Sequence, residues 1–147
     1  MAVLITNNQK KRKIAVEKVR TTAQALLDVL GYPESELSIL IVDDNEIADL
    51  NSRYLGRTGS TNVIAFPMLE GEYSEVSEEM LGDVVISADT TQKEADEGGV
   101  DFETRFDELL VHGMLHLLGY DHERDEEQAE EMEKKNRELL NVTVRHQ

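Results

Sequence analysis

A chain of 147 residues with 31 acidic against 15 basic side chains carries a formal charge of −16 and contains no cysteine. That length suits one domain with a real core, the missing cysteines exclude a disulfide framework and a thiolate zinc site, and no run approaches the roughly eighteen apolar residues of a membrane span. Residues 1–60 hold eight basic and eight acidic side chains and residues 61–147 hold seven and twenty-three, so a polyanionic partner would need a local basic surface to offset the global field. Candidates for that surface are the run Lys10-Lys11-Arg12-Lys13, then Lys18 and Arg20, with Arg53 and Arg57 further on; a solvated helix start explains the Lys10 to Arg12 and Lys13 run equally well.

Residues 2–6 read as a strand, followed at once by polar sequence that does not resemble a secretory leader. Residues 14–30 read as a helix with Ile14, Val16, Val19, Ala23, Leu26, Leu27 and Leu30 on its apolar side, closed by Gly31 and Pro33. Residues 36–42 alternate Leu37, Ile39 and Ile41 within a mostly apolar strand. Asp43 or Asp44 caps a short helix over 45–54, with Ile47, Leu50, Tyr54 and Leu55 on its core face. A loop over 56–60 leads to a strand at 62–67, and the acidic stretch 70–80 has the composition of an exposed loop or hairpin tip. Residues 82–88 form a buried-type strand, and Ser87 or Asp89 opens a helix that ends before Gly98-Gly99. A long helix covers 102–118, and an acidic one covers 124–140 with Ala129, Met132, Leu139 and Leu140 for its contacts. Four strands interleaved with about five helices predict a single α+β domain over residues 1–147, a mixed sheet covered by helices. The protein is expected to be soluble and cytoplasmic, with no membrane partner.

Three of the four histidines, His112, His116 and His122, stand at the spacing H-x-x-x-H-x-x-x-x-x-H. On a helix, His112 and His116 are one turn apart on one face and reach a single ion. Gly119 ends the helix, and a left-handed glycine there can bring His122 back as a third nitrogen. Two histidines alone are explained as satisfied polar groups at a core edge. A third after a helix-ending glycine is harder to account for by packing, since each neutral imidazole needs its own donor and acceptor partners. Imidazoles without thiolates suit zinc, one ion per chain, and also nickel, copper or iron. Affinity should fall where the histidines protonate in mildly acidic solution. Three ligands leave one open position, as in catalytic zinc sites; a closed structural site would draw a carboxylate from Asp121, Glu123 or Asp125.

A zinc ion with three neutral ligands lowers the pKa of water from about 15.7 to about 7 and polarises carbonyl or phosphoryl oxygens, so the reaction class is metal-assisted hydrolysis. Metzincin proteases carry H-E-x-x-H-x-x-G-x-x-H, and residues 112–122 match it except at Gly113, where the general-base glutamate would stand. A metal-dependent protease or amidase would have to recruit Glu108, Asp121 or another acid. Glu108, one turn before His112, either orients a ligand histidine or faces solvent.

The run His112-Gly113-Met114-Leu115-His116-Leu117-Leu118-Gly119-Tyr120-Asp121-His122 resembles the YbeY family of bacterial endoribonucleases and rRNA maturation factors. Leu50-Asn51-x-x-Tyr54, Thr61-Asn62-Val63-Ile64-Ala65-Phe66-Pro67, Leu81-Gly82-Asp83-Val84-Val85-Ile86-Ser87 and the acidic Asp125-Glu126-Glu127 follow in the family's order and spacing. The resemblance covers nearly the whole chain. It implies an α+β domain, zinc at His112, His116 and His122, and cleavage of single-stranded RNA in rRNA maturation (16S 3′ end processing) and ribosome quality control, with ribosomal particles or ribosomal proteins as partners. Two positions depart from the pattern. Many members have an arginine directly after the tyrosine, thought to serve catalysis, where this chain has Leu55; Arg57 or Arg53 is then the candidate cation for the phosphate, with a plain surface arginine the alternative for each. The family's usual serine before the phenylalanine is Ala65. Either activated water or the ribose 2′-hydroxyl can attack the phosphorus. A third function class is a non-catalytic ribosome-assembly factor with structural zinc, whose metal removal would unfold the domain.

Overall fold

The computed structural model describes residues 3–67, 80–120 and 126–145. The elements in chain order are β1 (Val3–Asn7), α1 (Val16–Leu30), β2 (Glu36–Val42), α2 (Asp44–Leu55), β3 (Val63–Pro67), β4 (Met80–Ser87), α3 (Ala88–Gly98), α4 (Phe102–Leu117) and α5 (Glu126–Arg145). The four strands form one mixed sheet in the order β1-β2-β4-β3, with β1, β2 and β4 parallel and β3 antiparallel to β4 at the edge. This is the expected α+β architecture, with a sheet of four strands and five helices among the described residues. No helix among the described residues is long and apolar enough to cross a membrane.

Strand alternation divides the core into two layers. Leu37, Ile39 and Ile41 of β2 and Val84 and Ile86 of β4 face the larger layer, which also holds Leu26 and Leu27 of α1, Leu110 and Met114 of α4, and Met132 and Leu139 of α5. The other face carries Val42, Ile64 and Val85 against Ile47, with Leu40, Leu50 and Phe66 at its margin. Burial on both faces is why β2 and β4 read as nearly unbroken apolar runs rather than as strict alternation. α4 packs on β3, β4, α3 and α5, so the helix expected to carry the metal ligands is the central one of the larger layer.

Several boundaries and faces differ from the sequence expectation. α1 begins at Val16 rather than 14, and Ile14 packs on the core from the preceding loop. The basic run Lys10 to Arg12 and Lys13 therefore precedes the helix instead of starting it. Arg12 is tied into the fold, its guanidinium 3.9 Å over the Phe102 ring and donating to Gln92 Oε1 at 2.6 Å. On α2, Tyr54 and Leu55 are 62 % and 42 % exposed, while the polar Asn51 is buried. Among the described residues, the Tyr54 ring meets that of Phe66 edge-on at 5.9 Å between centroids. Gly98 belongs to α3, and Gly99 is its left-handed cap. α5 continues to residue 145 because Val142 and Thr143 extend its inward face beyond Leu140. The expected acidic loop over 70–80 lies outside the described residues except for Met80, the first residue of β4.

Candidate metal centre

α4 owes its position to both ends. Asp101 caps its start, its side chain accepting from the Thr104 amide at 2.8 Å. Hydrogen bonds from the Thr104 side chain, and then from its amide, hold the Asp101 carboxyl below the usual aspartate value. At the other end Gly119 adopts a left-handed φ of 91°, with its amide on His116 O at 3.0 Å and the Tyr120 amide on Leu115 O at 3.1 Å. Those bonds satisfy the orphan carbonyls of the last turn directly behind His116. His122 lies outside the described residues.

His112 and His116 are half-buried on one face of α4, with their Nε2 atoms 3.0 Å apart and their rings inclined at 69°. Two nitrogens bound to one tetrahedral zinc at 2.0–2.1 Å would be about 3.3 Å apart, so the pair needs little movement to share an ion. Among the described residues no third His, Cys, Asp or Glu joins them. The chemistry of the donor set still fits zinc, since the remaining sequence candidates, His122 with Asp121, Glu123 and Asp125, belong to the undescribed stretch that follows Tyr120.

The pair opens onto a cleft of about 590 Å³ that Arg57, Asn51, Asn62 and the edge strand residues Val63 and Ala65 also line. Of the two candidate arginines, the fold brings Arg57 into this cleft. Arg53 is not among the lining residues; it pairs with Asp49 at 3.0 Å on the outer face of α2, with 64 % of its side chain exposed. Glu108 does not line the cleft either. It accepts from Arg105 Nη1 at 2.8 Å, and Arg105 also donates to Glu94 Oε1 from Nε at 3.1 Å and Nη2 at 3.0 Å. Burial lowers the Arg105 pKa, but the hydrogen bonds to Glu108 and Glu94 more than offset it, so the guanidinium sits above its ordinary value and stays charged.

Gly113 has a structural cause. A Cβ there would lie 2.7 Å from Val84 Cγ1 and 3.3 Å from Val63 Cγ2, so α4 rests directly on β3 and β4 with no room for a side chain. The position at which a metzincin carries its general base therefore points into the sheet. Two polar residues of the cleft drew no role from the sequence. Asn51 donates from Nδ2 to Gly59 O at 3.0 Å, and Asn62 donates to Glu94 at 3.2 and 3.3 Å. Both stand in the motifs quoted above, but nothing local in those motifs announces partners eight and thirty-two residues away.

The family model described as Endoribonuclease YbeY matches residues 4–143. An "Endoribonuclease YbeY" of Geobacter metallireducens is 48 % identical over 99 % of this chain and 97 % of its own length. One from Syntrophotalea carbinolica is 52 % identical over 92 % of this chain and 91 % of its own, and one from Aquifex aeolicus is 46 % identical over 92 % and 85 %. Among solved structures, the solution structure of TM1509 from Thermotoga maritima superposes with a TM-score of 0.67, covering 96 % of this chain and 88 % of that one at 24 % identity, a likeness of fold.

Proposed function

This chain belongs to the YbeY endoribonuclease family, and on that footing we propose that it is a zinc-dependent endoribonuclease that cleaves single-stranded RNA in the cytoplasm during rRNA maturation, including 16S 3′ end processing, and ribosome quality control. Ribosomal particles or ribosomal proteins are its partners in this reading. The observation that carries it is the convergence of His112 Nε2 and His116 Nε2, 3.0 Å apart, on a cleft that Arg57 also lines.

His112, His116 and His122 would hold the zinc. The ion supplies Lewis-acid polarisation of a phosphoryl oxygen and an acidified water at neutral pH. The chain's own residues do the rest. The Arg57 guanidinium binds the scissile phosphate and stabilises the charge that grows on its non-bridging oxygens. Asn62, held by Glu94, offers the cleft a fixed polar edge. Arg53 is engaged with Asp49, and Glu108 with Arg105, so in this reading both serve the scaffold rather than the reaction. Gly113, closed against Val84, weighs against the protease or amidase alternative, because a general base cannot stand at the position that chemistry uses.

The test is cleavage of a single-stranded RNA by metal-quantified protein, with a chelated sample and the variants His112→Ala, His116→Ala, His122→Ala, Arg57→Ala and Arg53→Ala. Cleavage should disappear with each histidine change and on chelation while circular dichroism stays native. Arg57→Ala should fall about 10²-fold or more in kcat, the scale of one lost transition-state donor, and Arg53→Ala should match wild type. Metal-loaded wild type that binds ribosomal particles but cuts no RNA, and that unfolds when stripped of metal, would replace the nuclease with the assembly-factor reading.

A further inference from the structure

The segment 56–62 joins α2 to β3 and carries Arg57 into the cleft beside the histidine pair. It holds two glycines in the left-handed region, Gly56 at φ 64° and Gly59 at φ 91°, and residues 56–60 are exposed. Such a stretch has little apolar contact to hold it. Its β3 end is fixed independently, because the Ser87 amide donates to Asn62 O at 2.9 Å and the Asn62 side chain is held by Glu94. At the α2 end the Gly56 amide donates to Ser52 O at 3.2 Å, and the two bonds that reach further along the segment both fall on Asn51. Asn51 accepts the Arg57 amide on its carbonyl at 3.2 Å, and its carboxamide reaches across to donate to Gly59 O at 3.0 Å.

Asn51 is 5 % exposed in a turn of helix whose neighbours Ser52 and Arg53 face solvent. An asparagine is a poor choice for a buried helical position on propensity or transfer grounds. We infer that Asn51 is a positioning residue: its carboxamide ties Gly59 down so that Arg57, bonded to the same residue through the backbone, stays over the cleft beside His112 and His116. This rests on the role given to Arg57 above. An arginine on an untethered loop would spend its time in solvent, and misplacement of a catalytic cation by about 1 Å can cost on the order of 10²-fold in rate.

The experiment compares Asn51→Asp, which keeps size but loses the donor, and the neutral Asn51→Ala with wild type, Arg57→Ala and the two double variants. Amide hydrogen exchange is measured at Arg57 and on the sheet, and kcat and KM on single-stranded RNA. Exchange at the Arg57 amide, which is hydrogen-bonded to Asn51 O, should quicken about ten-fold or more in both Asn51 variants while β2 and β4 keep their protection. Their kcat should drop, and neither change should lower the rate further once Arg57 is alanine, a coupling that a merely structural role would not produce. Unchanged exchange at the Arg57 amide in either variant that folds overturns the tether whatever the enzyme does. Losses that multiply with that of Arg57→Ala overturn the route through Arg57. Arg57→Ala that cleaves as wild type does overturns the role of Arg57, and with it this inference, even where the exchange result is as expected.

Discussion

Gly113 sits where an α-helix gains from almost any other residue, and replacing a helical glycine is worth about 1 kcal/mol. The sheet beneath outweighs that gain. Val84 is fully buried, and its Cγ1 would be 2.7 Å from a new Cβ, so a larger side chain must lift α4 off β3 and β4. Gly113→Glu, which recreates the metzincin pattern in sequence, is expected to lose about 2–5 kcal/mol through overpacking and burial of a carboxylate, and to gain no peptidase activity. Urea unfolding measures the loss. A variant as stable as wild type would mean that the helix rides up at little cost and that the close approach does not explain the glycine. The motif mismatch at Gly113 was legible in the sequence. Its cause was not, because it resides in two valines fifty and twenty-nine residues earlier.

The elements were read well wherever their signals are local. Asp43, Ser87 and Asp101 each accept a hydrogen bond from the amide three residues on, as the start of a helix demands. Asp101 matters most, since it fixes the helix that holds the histidine pair. Its folded-state carboxyl is held below the ordinary value by Thr104, so its contribution to stability is fully present above the unfolded pKa and is lost as pH falls through the lower, folded one. The stability difference between wild type and Asp101→Ala should therefore be constant from neutral pH down to about 5 and shrink below about 4, the ordinary aspartate range. Urea titrations at those pH values check it, and a difference that grew on acidification would reverse the sign of the linkage. The ends of α2 and α5 were less legible. Tyr54 and Leu55 lie on the side expected to be buried but are exposed, 62 % and 42 %, while Val142 and Thr143 continue the packing of α5 past the point where the apolar pattern thins.

At the scale of the whole molecule, a charge of −16 opposes the approach of RNA while Arg57 in the cleft favours it. The first effect acts at long range and is screened within about 10 Å at 0.1 M salt; the second is a contact effect that salt weakens through counterion competition. With Arg57 the one arginine among the described residues that lines the cleft and Arg12 committed to Phe102 and Gln92, the repulsion should dominate association. The rate constant kcat/KM on single-stranded RNA is expected to rise several-fold from about 10 to about 100 mM salt, the reverse of the fall shown by basic nucleic-acid-binding proteins. Stopped-flow or initial-rate measurements across that range decide it. A steady fall would mean that a local basic surface outweighs the global field.

The sequence by itself determined the α+β composition of a mixed sheet covered by helices, the absence of thiolate ligands and the one-turn spacing of His112 and His116, because alternation, helical period and a left-handed glycine after a helix are local properties of backbone geometry. Only the tertiary structure decided which of two chemically identical arginines faces the cleft. Arg53 and Arg57 are four residues apart, but the first lies on the last turns of α2 and the second beyond the left-handed turn at Gly56, where Asn51 gathers the chain back toward the histidines. It also decided why Gly113 bears no side chain. Both outcomes depend on how α2, α4 and the edge of the sheet approach one another, and that approach is a sum over contacts far apart in the chain, which no short stretch of residues encodes.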